Sequence, residues 1–205
     1  MPALWRDSID AHRQAVRDSV LDASGAILEE TGMTGLTMSA VAERAGIGRA
    51  ALYRYFSDSR QIVLAWHERQ VRTHLDQLLE VRAGAGGTDR AVRDVLEAYA
   101  GLSSAHDIGE SAATLHTGEH MEGAQRELHL LLRDLLADGV RHGQVRGDIN
   151  VDDLATYCAH ALGAASHMTS PDAPRTVTAL VLDALRPGSS TAMPPNKAGH
   201  LHEHH

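Results

Sequence analysis

Apolar positions recur along most of this chain at spacings of three and four, so the pattern predicts helices almost throughout. Val16, Val20, Ala23 and Ile27 place one face of a helix over about residues 12–31, and Gly32 and Gly35 mark its end. Thr37 is suited to cap a short helix through Ala45 with Val41 and Ala42 inward, and Gly46-Ile47-Gly48 is a tight connection to a second short helix, Arg49–Tyr55. Asp58, with Gln61 at the capping-box position, opens a long helix to about Arg82. Gly84 to Thr88 reads as a linker. Beyond it, helices are predicted over 89–105, 108–117, 121–142, 151–168 and Pro174–Leu185, with Gln144–Asn150 as a turn and a break at Pro171. The helix over 121–142 has the clearest stripe, with Leu128, Leu131, Leu132, Leu135 and Leu136 following the i, i+3, i+4, i+7, i+8 rule. Residues 187–205, rich in Pro, Gly, Ser and His, are expected to be a disordered tail.

The last two helices carry more apolar surface than one chain can cover. Leu154, Cys158, Ala161, Leu162 and Ala165 form a face of mostly small residues that admits another helix closely. Val177, Ala179, Leu180, Val181, Leu182, Ala184 and Leu185 point nearly all round their helix. A helix apolar on every side needs cover on every side. This predicts a partner subunit, the competing reading being burial within the chain's own domain.

Composition narrows the class. The chain has 205 residues, 43% hydrophobic and only 3% aromatic, which fits a helical globular protein and disfavours β-rich folds. The single cysteine, Cys158, excludes an internal disulfide framework or a Cys-rich zinc module. No apolar stretch is long enough to span a membrane, and the N-terminus is charged too early for a secretory segment, so a cytoplasmic location is expected. The net charge of −8 is unevenly spread: residues 1–60 hold 7 Arg against 8 acids, whereas residues 61–205 hold 12 basic residues against 19 acids. The first segment alone is not clearly repelled by a phosphate backbone.

In that segment, two short helices joined by three residues and braced by a longer preceding helix make a helix-turn-helix. Leu52 and Phe56, four apart, would anchor the second helix, leaving Arg49, Ala50, Tyr53 and Arg54 outward. Arg takes guanine bidentately, a small Ala permits close approach, and Tyr hydroxyls donate to phosphate oxygens. Arg6 and Arg13 offer a basic arm, but the interleaved Asp7 and Asp10 favour plain solvated positions.

The stretch from Val20 to about Val63 resembles the N-terminal domain of TetR-type transcriptional regulators. The resemblance rests on Gly32, on the run Leu36-Thr37-Met38-Ser39-Ala40-Val41-Ala42-Glu43-Arg44-Ala45-Gly46-Ile47, and on Leu52-Tyr53-Arg54-Tyr55-Phe56. It implies an all-α fold of about nine helices: a helix-turn-helix head over 1–58, a helical ligand-sensing and dimerisation domain over 59–186, and the tail. It implies that Thr37 and Ser39 touch phosphates or base edges, that Arg49 and Ala50 read bases, and that Tyr53 and Tyr55 clamp phosphates. Arg44, Gly48 and Arg54 complete the expected DNA-facing set. Two departures stand out. Gly48 occupies the usual Ser or Thr cap position, and Ser59 replaces a frequent Lys, with Arg60 beside it as a substitute.

The resemblance further implies a homodimeric repressor binding a pseudo-palindromic double-stranded DNA operator, dimerised through helices 151–168 and 174–185 and released by a small-molecule effector. Candidate effector contacts are Trp66, His67, Leu102, His106, Leu115, His116, Glu119 and His120, each equally open to a packing or surface role. No cofactor, resident metal or membrane partner is expected. The alternative is a metal-responsive regulator of the same fold: His116 and His120 stand i, i+4 with Glu119 between them, although Gly118 and Gly123 argue against a continuous helix there. His160 and His167 would be interface or pocket groups. An enzyme is not expected, because no His-Glu-x-x-His, Gly-x-Ser-x-Gly or phosphate-cradling loop occurs, and Cys158 lacks an activating base on its own helical face.

Overall fold

A computed structural model describes residues 2–105 and 119–188. Within them the chain forms eight α-helices and one 3-10 turn, with no strand. The fold class is the all-α arrangement expected, with an N-terminal helix-turn-helix and a C-terminal helical domain. The predicted helix 108–117 lies outside the described residues, as does the tail beyond 188.

The first helix, α1, spans Pro2–Gly35, starting some ten residues earlier than the apolar pattern indicates. The reason is burial. Residues 9–15 are exposed and Val20 is the first fully buried position, so the early turns carry no apolar stripe to read. Pro2 sits where a missing amide costs nothing. At the other end Gly32, with φ 66°, breaks the helical path as the sequence indicates.

Helices α2 (Met38–Arg44) and α3 (Arg49–Leu52) follow, then α4 (Ser59–Gly84) and α5 (Thr88–Ala105). After the undescribed segment come α6 (Glu119–Arg141), α7 (Val151–Gly163) and α8 (Ala173–Ala184). Two predicted elements differ. The second short helix was expected to reach Tyr55, but regular helix stops at Leu52 and continues only as turns, with Arg54 N–H donating to Ala51 O and Tyr55 N–H to Leu52 O. The helix expected over 151–168 tightens at Gly163 into a 3-10 turn, Ala164–His167, where the Ser166 hydroxyl donates to Gly163 O at 2.9 Å.

Two apolar cores result. The first joins Val20, Leu21, Ile27 and Leu28 of α1 with Val41, Ala42, Leu52, Phe56 and the start of α4 at Ile62, Val63 and Trp66. The second joins Leu78 of α4 with Val92, Val95 and Leu96 of α5, the four leucines 131, 132, 135 and 136 of α6, and the inner faces of α7 and α8. Helix α4 therefore belongs to both cores and links them rigidly. Its crossing with α1 is close because Gly25 lies under Trp66; a Cβ there would stand 2.7 Å from the indole nitrogen. Arg69 on α4 then bridges back to Asp22 at 2.8 Å. No helix among the described residues is long and apolar enough to cross a membrane.

Candidate nucleic-acid interface

The geometry of the head begins with its caps. Thr37 accepts the Ala40 amide at 3.1 Å and starts α2. At the other end of α2, Ile47 N–H donates to Ala42 O and Gly46 N–H to Glu43 O, with Gly46 at φ 66°. This is a Schellman close, and its accompanying apolar contact is made by Ile47, which packs on the head core. The turn fixes the angle at which α3 leaves α2. Gly48 then caps α3 with its backbone alone, having no side chain to offer. Asp58 opens α4 by accepting the Gln61 amide at 2.9 Å, while Gln61 Oε1 accepts the Ser57 amide at 3.0 Å. The two bonds form a reciprocal cap, with the return bond one residue earlier than in a capping box. The Gln61 amide, and a second bond from the Ser57 hydroxyl, hold the Asp58 carboxyl below the usual aspartate range.

Fully buried Leu52 of α3 and nearly buried Phe56 in the turns just beyond it pin this segment to the head core, and most of its other residues face water. Arg49, Ala50, Tyr53 and Arg54 are exposed, as are Thr37 and Ser39 at the start of α2 and Arg60 at the start of α4. Tyr53, a large aromatic, is 49% exposed. Tyr55 is half-buried and packs on the head core, so its ring is held in place. Arg44 differs from the rest of the expected set. Both its terminal nitrogens bond Glu30, at 2.9 and 2.5 Å, bracing α2 against α1. The pairing raises the Arg44 guanidinium and lowers the Glu30 carboxyl.

A second feature of the head lies next to α3. A cleft of about 700 Å3 is lined by Asp10, Arg13, Gln14 and Arg17 on α1 and by Arg54 and Tyr55. The Arg17 guanidinium stacks over the Phe56 ring at 4.9 Å from its centre. The i, i+4 spacing of Arg13 and Arg17 places both guanidiniums on one face of α1 and is the sequence signal for this cleft.

The expected effector residues are scattered. Trp66 is buried in the head core, where its indole packs over Gly25 at the α1–α4 crossing. His67 is buried on α4, and Leu102 is half-buried against the second core. His106, Leu115 and His116 lie outside the described residues. Glu119 and His120 fall in the first turn of α6, and their side chains also lie outside what the structure describes. Among the described residues no three His, Cys, Asp or Glu stand close enough to hold a metal ion. Cys158 is fully buried, and burial pushes its thiol up to about 12, so it remains protonated and unreactive.

Residues 20–66 match the family model described as bacterial regulatory proteins, tetR family, and residues 89–187 match the C-terminal domain of SbtR-like transcriptional regulators. The chain belongs to the TetR family. It is thus a DNA-binding transcriptional regulator, and regulators of this family are non-enzymatic proteins that bind DNA and small molecules. No curated protein matches the full sequence significantly. Solved structures share the fold at low identity. A TetR/AcrR family regulator from Thermobifida fusca superposes with a TM-score of 0.66 at 17% identity, covering 83% of this chain and 98% of that one. FadR from Bacillus subtilis, in complex with stearoyl-CoA, gives 0.64 at 12% identity over 82% and 98%. RolR in complex with resorcinol gives 0.62 at 20% identity over 86% and 90%.

Proposed function

We propose that this TetR-family chain is a ligand-responsive repressor that binds a pseudo-palindromic operator as a homodimer in the cytoplasm. The observation that carries the reading is the outward row Arg49, Ala50 and Tyr53 on a helix anchored by Leu52 and Phe56. In a helix-turn-helix the second helix enters the major groove, and its N-terminal residues meet the base edges. Arg49 and Ala50 stand there, with Thr37, Ser39, Gly48, Tyr53, Arg54, Tyr55 and Arg60 at or beside the backbone. Arg44 supports them indirectly by fixing α2 through Glu30.

The dimer is inferred from apolar surface left open on α7 and α8. Tyr157 is 45% and Leu180 64% exposed, with the small residues Ala164 and Ala179 also outward. Two copies packed on these helices would form a four-helix bundle and set half-sites about 34–36 Å apart, or a multiple of that. Head and sensor are assigned to residues 1–58 and 59–186, sharing α4. The small-molecule reading is supported by the similarly folded FadR and RolR, which hold stearoyl-CoA and resorcinol. On this chain the effector would be met by His67, Leu102, His106, Leu115, His116, Glu119 and His120. A ligand favouring one spacing of the heads would shift the population away from the operator-binding form.

The test is salt-dependent binding of the full chain to DNA flanking its own gene and to fragments selected genome-wide. Tight, sequence-selective binding lost in Arg49→Ala/Tyr53→Ala is expected. Wild-type protein with no preference for any fragment would refute the regulator assignment for this head.

A further inference from the structure

Among the described residues eight arginines, including Arg44, Arg69, Arg82, Arg133 and Arg146, are held by carboxylates. Arg13, Arg17 and Arg54 are different: among the described residues none has an ion-pair partner, and they share the cleft beside α3. Among the described residues Asp10 is the one carboxylate in the lining, against three guanidiniums. Gln14, which is uncharged, donates its amide N–H to Asp18 Oδ1 at 2.9 Å. Stacking on Phe56 immobilises Arg17 and helps shape the wall.

We infer that this cleft takes a phosphodiester of the DNA backbone flanking the base pairs read by α3, with Arg13 and Arg54 as its two clamps. Three properties select that ligand. The lining is charged and open-sided, unlike the mostly apolar, enclosed pockets that hold small molecules. The guanidinium fork matches a phosphate's paired oxygens. Arg54 follows Tyr53 directly, so a duplex whose major groove, about 12 Å wide, admits α3 carries a backbone past this end of the helix. The helical form of residues 2–15 matters here, because it presents Arg13 from a rigid rod and not from a loose arm. Arg13 thereby becomes a positioning contact that fixes register and carries no base preference.

The inference rests on the regulator reading, and the experiment separates the two. Affinities of full-length wild type, Arg13→Ala, Arg13→Lys and Arg49→Ala are measured on a selected operator duplex and a scrambled duplex of equal length, across salt concentrations. Arg13→Ala should weaken both duplexes by the same factor and flatten the log–log salt slope by about 0.9, shrinking the wild-type advantage about 3.5-fold between 50 and 200 mM salt. Arg13→Lys should restore most of the slope, which excludes a folding defect, whereas Arg49→Ala should lose preference for the operator. Wild-type affinity and slope in Arg13→Ala, with Arg49→Ala still impaired, would overturn the cleft's role and leave the regulator reading intact. Loss of operator preference in wild type itself would overturn both. Binding of inorganic phosphate that Arg13→Ala abolishes, with the DNA slope unchanged, would reassign the cleft to a free anion.

Discussion

Gly46 and Gly48 sit two residues apart and do opposite things. Gly46 has φ 66° and nothing within 4 Å of where a Cβ would stand. Only backbone strain opposes a side chain there, and an L-residue in that conformation loses about 1–2 kcal/mol. Gly46→Ala should therefore lower stability by roughly 1 kcal/mol in denaturant unfolding, and operator affinity should fall with it because the α2–α3 angle is no longer held. Gly48 has φ −67° and equally open surroundings, so it is not there for conformational freedom. Gly48→Ser should be neutral or gain a few tenths of a kcal/mol by supplying the missing cap. If the two substitutions behaved alike, the Schellman close of α2 would not be what sets the recognition helix.

At the level of elements, the caps connect sequence to pH. The Asp58 carboxyl is lowered by the Gln61 amide and the Ser57 hydroxyl, so it contributes stability that is fully present above the unfolded value of about 4. That contribution is lost as pH falls through the lower folded value. Asn caps a helix as well as Asp but does not titrate. Asp58→Asn should therefore leave the neutral-pH melting temperature nearly unchanged and make the acid-side decline shallower; an identical acid profile would show that this cap does not drive it. Such caps are why so much of the architecture was legible. Thr37, Gly46 and Asp58 each declare a boundary through local chemistry, and Leu131, Leu132, Leu135 and Leu136 declare a face through spacing. What escaped has no such marker. Residues 9–15 of α1 are exposed and carry no apolar stripe, and the interleaved Asp7 and Asp10 make Arg13 read as a solvated charge. The site residues were harder for a related reason. The Arg44–Glu30 bond and the seat of Trp66 over Gly25 depend on neighbours from another helix that no local pattern announces.

For the whole molecule, the decisive surface is the open side of α7 and α8. Leu180 is exposed on a helix whose other side buries Val177 and Val181, and it is the apolar area that the proposed dimer would cover. Tyr157 on α7 is also exposed, and in the proposed dimer it would be covered with Leu180. Leu180→Glu would place a charge at the centre of the inferred bundle, opposite its own symmetry mate, where desolvation and like-charge repulsion add. The monomer fold should survive, because residue 180 touches neither core. The expected outcome is a shift from dimer to monomer in sedimentation equilibrium with helicity unchanged. Operator affinity should fall by a factor of 100 or more, because two linked heads gain an effective concentration that single heads lose, about 10²–10⁴-fold in linked systems. A half-site duplex separates causes: it should bind wild type and Leu180→Glu about equally, since each head is intact. A dimeric Leu180→Glu variant would place the interface elsewhere, and a monomeric one with full operator affinity would mean that the heads do not depend on pairing to read DNA.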